Sequence, residues 1–428
     1  MKKKFASIKI ISVLWIGALL GSVIGFITQV ILARQLGAET YGLFSSSLGT
    51  VNLIAPLAGF GVSSLWLKVF GQEGWSAVRW VKPSIMFLFW STISVIITLV
   101  VWANTFSHDS NTKDLVQLLS ITVIGQASIE VLKSKLQLEE KFGALTLYQL
   151  LIPLLRVILV ITTIFYSKLN VIFIGLGYAI ISIIVFAICA TPIYKTSLGS
   201  FELKGHKKNK NESLDSTSIG PIDVLRNSWV FGFATMFYVL WSQSNVVILK
   251  YLLGDVEAGL YSVALLVINA ICIFPSVVYS KFLMPKIHRW SNHDQERLKY
   301  IFYLGNKLMF CIGLAFMFLV FVTSSYSIPL VFGDEYTESI KILILLSLTL
   351  PIRFVGHSVG ALLVAKEYMK VKVKVMSIVA IVNITMNFII IPKVGLIGVA
   401  YVAIFNEILL LALYYILVRK FYVSKSWA

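Results

Sequence analysis

Cysteine is scarce in this sequence, which has 428 residues and three cysteines: Cys189, Cys272 and Cys311. All three lie within long apolar runs, where an odd number of thiols argues against a disulfide framework. We expect them to act as small apolar side chains.

Charged residues are also scarce, at 13% of the sequence against 58% hydrophobic residues, and the mean hydropathy is +0.86. This composition lies far outside the usual range of soluble globular proteins. Acidic residues are fewer than basic residues, 20 against 37, so the formal net charge is +17. The composition predicts an integral membrane protein, and the placement of the basic residues must explain the charge.

Motifs of catalysis and of nucleotide binding are missing. The sequence has no glycine-rich phosphate loop, which argues against ATP-driven pumping. None of the segments between apolar runs is long enough for a folded catalytic domain. No metal-ligand spacing connects the five histidines, which are His108, His206, His288, His293 and His357. We predict a membrane transporter rather than an enzyme, with no metal site.

Long apolar runs dominate what is present. About 20 helical residues cross the ~30 Å hydrocarbon core of a bilayer. The predicted fold class is an all-α integral membrane protein with twelve transmembrane helices in two pseudo-symmetric six-helix bundles. The predicted helices lie near residues 10–33, 41–67, 84–104, 115–133, 145–166, 170–194, 224–251, 259–284, 300–324, 339–363, 371–391 and 395–419.

A repeated stretch relates the two halves of the chain. Leu36–Ser45 returns as Leu253–Ser262 at an offset of 217 residues, and Asn52 falls on Asn269 at the same offset. Duplicated halves in an apolar chain are typical of transporters whose substrate lies between the repeats. The predicted parts are an N-terminal bundle (1–194), a cytoplasmic basic linker (195–223) and a C-terminal bundle (224–428).

Basic residues are distributed unequally between the two sides of the predicted membrane. The N-terminus and alternate loops carry 28 of the 37, including Lys370, Lys372 and Lys374, whereas the other loops carry six. By the positive-inside rule, both termini are predicted to be cytoplasmic. Topology and contact with anionic lipid therefore explain the charge better than nucleic-acid binding does.

Two arginines lie near the middle of predicted helices five and ten, Arg156 and Arg353. An arginine at a helix centre costs about 2.5–3.5 kcal/mol on the insertion scale, so it should face protein or water. Arg353 shares a helical face with His357, four residues on, and Gln149 lies seven residues before Arg156. Either the arginines line a substrate cavity or they form structural ion pairs.

Glu407 is the one acidic residue near a predicted helix centre. It is either a proton or cation relay or the counter-charge of an arginine. Asn52 and Asn269 either line the cavity or form hydrogen bonds between helices.

The first copy of the repeat also carries a family resemblance. The run Gln29–Phe44, with Gly59-Phe60-Gly61 after it, resembles the first-loop pattern of Wzx-type polysaccharide repeat-unit flippases. These belong to the multidrug/oligosaccharidyl-lipid/polysaccharide exporter (MOP) superfamily, together with multidrug extruders and lipid II flippases. The resemblance implies twelve helices in two bundles, a cationic central cavity, and a place in O-antigen (lipopolysaccharide) or other surface polysaccharide biosynthesis.

The substrate implied by the resemblance is an undecaprenyl-pyrophosphate-linked oligosaccharide. It would move by alternating access from the cytoplasmic to the outer leaflet of a bacterial plasma (inner) membrane. Arg156 and Arg353 would bind the diphosphate, because guanidinium groups suit phosphate oxygens. Glu407 or His357 would couple transport to a proton or sodium gradient. The remaining expected partners are membrane lipids, a polysaccharide polymerase and a chain-length regulator.

Three other functions remain open on the sequence alone. A drug or cation antiporter of the same superfamily should have acids in its cavity. A polysaccharide polymerase or a glycosyltransferase usually has a substantial outward-facing loop, and here the longest is roughly residues 325–338. In a structural scaffold, the free-energy cost of arginines at bilayer depth would have no functional explanation.

Overall fold

The computed structural model of the chain is almost entirely helical, with no β-strand in the part that it describes. The described residues are 2–107, 109–166, 170–203, 219–284, 286–287, 290, 294–365 and 368–420. Within them the chain forms two compact units. The first unit consists of Met1–Thr28 and Ser47–Met236, and the second consists of Gln29–Ser46 and Phe237–Ala428. The predicted division into 1–194, 195–223 and 224–428 stays a prediction.

Within the described residues, eight helices precede the middle of the chain. They are α1 (Lys2–Ile54), α2 (Pro56–Gly59), α3 (Val62–Glu73), α4 (Val81–Phe106), α5 (Ser110–Ser120), α6 (Thr122–Leu138), α7 (Phe142–Tyr166) and α8 (Val171–Ser197). A 3₁₀ segment, Gly74–Trp80, joins α3 to α4.

Seven described helices follow in the second half. They are α9 (Pro221–Leu252), α10 (Asp255–Val277), α11 (Gln295–Phe332), α12 (Ser339–Ser347), α13 (Leu350–Ala365), α14 (Met369–Val394) and α15 (Leu396–Val418). A π-helical segment, Val278–Leu283, extends α10, and a 3₁₀ turn, Asp334–Tyr336, precedes α12.

The described helices account for the twelve predicted spans. Nine apolar stretches are long enough to cross a membrane, and α12 with α13 forms a tenth that is bent by 46°. One of the nine, Ile16–Phe106, is 91 residues long. Non-helical backbone at Gly37 and the turn before Val81 divide it into three spans. The prediction of an all-α, multi-pass membrane protein is confirmed, with six spans in each half of the sequence.

Glycines end the first span of each half at equivalent places. Gly37 has φ +74° and ψ 172°, and Gly254, which is 217 residues later, has φ +132° and ψ −178°. A residue with a Cβ rarely adopts such φ values, so glycine permits the chain to change direction abruptly here. The two copies of the repeat therefore share a backbone conformation as well as a sequence.

The two copies also pack against each other inside the second unit. A Cβ on Gly42 would lie 1.7 Å from the carbonyl oxygen of Asp255, and a Cβ on Gly259 would lie 2.0 Å from that of Ala38. The two contacts are equivalent under the offset of 217 residues. Since only glycine leaves room for a backbone at these distances, the repeated glycines let α1 and α10 approach each other closely.

Hydrogen bonds surround this glycine contact. Ser45 Oγ and Ser262 Oγ, again equivalent positions, are 2.9 Å apart. Tyr336 Oη donates to the Ala33 carbonyl at 2.8 Å. Residues 29–46 are thus held within the second unit although they come from the first half of the sequence.

The described ends of the predicted linker are structured. Helix α8 continues to Ser197, and after it Phe201 and Leu203 are buried in the core of the first unit. The Phe201 ring stacks on Phe70 with 4.8 Å between centroids. Helix α9 begins at Pro221, and residues 204–218, the centre of the predicted linker, lie outside the described residues.

A candidate substrate cavity

The second unit contains a cavity of about 220 Å³ among α9, α10, α13, α14 and α15. The predicted helical face brings Arg353 and His357 to it, and Asn269 and Glu407 also line it. Four of the predicted site residues therefore meet at one place. Their roles in transport stay predictions.

Arg353 and Glu407 form an ion pair in this cavity, between Arg353 Nε and Glu407 Oε1. Both side chains are largely buried, with 16% and 4% of their surface exposed. The Arg353 guanidinium carbon also lies 5.8 Å from the centroid of the Trp241 ring. Arg353 thus lines the cavity and has a counter-charge at the same time, and its role in substrate binding stays a prediction.

Lys372 is a cavity residue that sequence reasoning placed elsewhere. We assigned it to a cytoplasmic loop, but α14 begins at Met369 and places the Lys372 side chain in the cavity wall. Its Nζ lies 5.8 Å from the centroid of the Tyr414 ring. The sequence does not distinguish Lys372 from Lys370 and Lys374, the lysines two positions before and after it. Both of those lysines are exposed in the structure.

Buried amides form a hydrogen-bonded network beside the cavity. Asn383 Nδ2 donates to Asn245 Oδ1 at 2.8 Å, and Asn387 Nδ2 donates to the same oxygen at 2.9 Å. Asn245 Nδ2 in turn donates to Tyr261 Oη at 2.9 Å. Asn406 Nδ2 donates to Asn383 Oδ1 at 3.1 Å. The network joins α9, α10, α14 and α15, the helices that hold most of the cavity wall.

Arg156 lies in the first unit, on α7. Its guanidinium carbon is 4.2 Å from the centroid of the Tyr178 ring, within the range of a cation–π contact. Within the described residues Arg156 forms no ion pair, and its Nε has no hydrogen-bond partner. Gln149 on α7 and Asn52 on α1 are partly buried in the same unit.

The chemistry of the second-unit cavity is cationic and amphipathic. Two of its side chains, Arg353 and Lys372, carry positive charge, and Glu407 carries negative charge. Aromatic rings and amides complete the wall, a combination that can contact sugar rings and hydroxyl groups. The described residues contain no group of three or more His, Cys, Asp or Glu side chains that could hold a metal ion.

A twelve-span helical fold with a polar cavity among its helices defines the class as a membrane transporter. Two solved structures share this fold. A lipid II flippase MurJ in an inward closed conformation matches with a TM-score of 0.70 and 16% identity, over 95% of this chain and 87% of the other. A multidrug resistance MATE family transporter of the MOP superfamily, in an inward-facing conformation, matches with a TM-score of 0.69 and 14% identity, over 95% and 96%.

Relatives in sequence narrow the class to a family. The chain is 22% identical over 380 residues to the lipopolysaccharide biosynthesis protein WzxC of Escherichia coli K12, covering 87% of this chain and 71% of the relative. It is 23% identical over 402 residues to the probable low-salt glycan biosynthesis flippase Agl15 of Haloferax volcanii, covering 90% and 78%. Residues 7–291 match the family described as polysaccharide biosynthesis protein, and the chain belongs to that family.

Proposed function

We propose that this chain is a flippase for lipid-linked oligosaccharides. The observation that carries the proposal is the cavity of the second unit, where Arg353 and Lys372 outnumber Glu407. A lipid-linked sugar has an anionic phosphate group beside hydroxyl-rich rings, and this cavity offers cations, aromatic rings and amides to them. The names of the two relatives, a lipopolysaccharide biosynthesis protein and a glycan flippase, support the same function.

The finer proposal concerns the substrate and its direction. The substrate is an undecaprenyl-pyrophosphate-linked repeat unit, which moves from the cytoplasmic to the outer leaflet of a bacterial inner membrane. Two six-helix bundles, joined by the segment 195–223, expose the substrate site to each side in turn. Both termini are cytoplasmic, and a polymerase and a chain-length regulator act on the delivered unit.

Energy coupling belongs to the same proposal. Glu407 and His357 both line the cavity, where movement of a proton or sodium ion would change the local charge. Asn269 in the cavity wall contacts the sugar, and Asn52, Gln149 and Arg156 contribute from the first unit.

The main rival is a drug or cation antiporter, because the fold is shared with a multidrug transporter. A cationic substrate needs an available acid in the cavity. Among the described residues of the second-unit cavity wall the one acid is Glu407, and it is already paired with Arg353. The cavity charge therefore favours an anionic substrate.

A reconstituted flipping assay tests the function. Proteoliposomes containing the purified chain and a fluorescent undecaprenyl-pyrophosphate disaccharide are exposed to a membrane-impermeant quencher. We expect the wild type to make the inner-leaflet probe accessible and Arg353→Ala to be slower. Lys374→Ala, an exposed lysine on α14, is the matched control and should behave like the wild type.

The result that rejects the flippase is equal quenching with and without the wild-type chain. Proton-driven uptake of an organic cation by the same vesicles would then favour the antiporter.

A further inference from the structure

The charged side chains of the second-unit cavity are not equivalent. Three of them line it, Arg353, Glu407 and Lys372. Which of the cations can bind an anion depends on what each already contacts.

Arg353 is already engaged by protein groups. Its Nε is paired with Glu407, and the guanidinium lies over the Trp241 ring. An anion arriving at Arg353 would also meet the Glu407 carboxylate, and like charges at short range repel. The Arg353–Glu407 pair is therefore a neutral unit with little attraction for a second anion.

Within the residues that the structure describes, Lys372 has no such counter-charge. No ion pair to Lys372 exists in the described part of the chain, and the Tyr414 ring, 5.8 Å from Nζ, is a neutral neighbour. A Cβ on Gly360 would lie 3.9 Å from Nζ, so the ammonium reaches the helical face that also carries Arg353 and His357. An uncompensated ammonium among membrane helices attracts an anion, and lysine binds phosphate as a point charge.

We infer that Lys372 is the side chain that binds the phosphate of the substrate in this cavity, and that Arg353 is a positioning residue, held by Glu407. The inference rests on the proposed function. It assigns phosphate binding in this cavity to Lys372, whereas the sequence analysis assigns it to Arg353. Lys372 gains its counter-charge from the substrate, while the Arg353–Glu407 pair keeps α13 and α15 in place around it.

Binding of farnesyl diphosphate to the full-length, detergent-purified chain tests the assignment, with uncharged farnesol as the comparison probe. We expect Lys372→Gln to weaken farnesyl diphosphate binding by about tenfold or more, the usual effect of losing a charge-assisted contact. Farnesol binding should not change. Lys372→Arg should retain most of the affinity, and Lys374→Gln should match the wild type.

The double variant Arg353→Gln/Glu407→Gln tests the other half of the inference. It removes both charges of the pair and leaves Lys372, so it should weaken farnesyl diphosphate binding clearly less than Lys372→Gln does. A loss as large as that of Lys372→Gln would make Arg353 a direct ligand and overturn the inference. If the double variant does not fold, the comparison of Lys372→Gln with Lys372→Arg decides alone.

The outcomes separate this inference from the proposed function. A wild type that binds farnesyl diphosphate no better than farnesol would count against an anionic lipid substrate altogether. A wild type that prefers the diphosphate, with a Lys372→Gln variant that keeps the preference, would overturn only the assignment of Lys372.

Discussion

At the scale of single residues, the position of a charged residue in the sequence predicts its role less well than its neighbours in the structure do. The i, i+4 spacing of Arg353 and His357 placed both on one helical face, and both line the cavity. Helical periodicity is enough for such a prediction because it depends on one helix. Lys372 could not be found in this way, since its burial depends on α13 and α15 packing against α14.

Glycine at position 42 permits a close approach of two backbones in the second unit. We expect Gly42→Ala to destabilise the protein by about 1–3 kcal/mol, because the new methyl group would overlap the Asp255 carbonyl. Thermal unfolding in detergent measures this loss. Gly259→Ala, at the equivalent position, should have a similar effect.

The control for this substitution lies on the same helix. A Cβ on Gly25 meets no atom within 4 Å, so Gly25→Ala should be neutral or slightly stabilising, since alanine favours the helix. Equal unfolding temperatures for Gly42→Ala and Gly25→Ala would mean that the glycine contact contributes nothing to stability.

Lys141, in the turn between α6 and α7, gives a pH dependence. Its Nζ lies 2.9 Å from Glu202 and 3.2 Å from the buried Glu139, and the hydrogen bond to Glu202 is the main reason that its pKa is raised above 10.5. A raised lysine pKa stabilises the folded state below the unfolded-state pKa, and this contribution is lost as the pH rises through the folded-state pKa.

We therefore expect Lys141→Gln to lower the stability at pH 7 by under about 1 kcal/mol, because the ammonium is partly exposed to solvent. Unfolding temperatures of the wild type and the variant should converge as the pH rises above 10.5. A difference that stays constant from pH 7 to strongly alkaline pH would show that the charge is not responsible.

At the scale of elements, apolar run length predicted the spans but not their interruptions. The predicted helix 339–363 is bent by 46° between α12 and α13, just before Pro351. The predicted helix 41–67 is broken after Pro56, where Phe60 and Gly61 have positive φ. Hydropathy averages over about 20 residues, so it does not detect a turn that keeps its apolar side chains.

Phe201 is one of the residues that pack the segment after α8 into the core of the first unit. Phe201→Ala should reduce the stability by about 3–5 kcal/mol, because it removes a buried ring stacked on Phe70. Thermal unfolding again measures the loss. Leu198→Ala, three residues earlier and 68% exposed, is the control that should change little. A similar result for both variants would mean that burial of Phe201 does not hold the segment.

At the scale of the whole molecule, the topology is the main prediction still to be tested. We expect a green fluorescent protein fused to the C-terminus to fluoresce in a bacterial host, because the positive-inside rule places that end in the cytoplasm. Alkaline phosphatase inserted after Asp334 should be active, because it needs an oxidising compartment to form its disulfides. The opposite result would reverse the predicted orientation: alkaline phosphatase active at the C-terminus and green fluorescent protein fluorescent after Asp334.

The contact between Gly42 and Gly259 has a consequence for how such a chain can arise. Each glycine meets the carbonyl oxygen of the residue four positions before its counterpart, so the contact is the same in both directions. This is the isologous pattern of a two-fold homodimer, in which one surface patch pairs with itself. A single six-helix chain with this one stretch already carries both sides of the contact. If such a chain formed a two-fold dimer through this stretch, end-to-end fusion of two gene copies would keep the same contact.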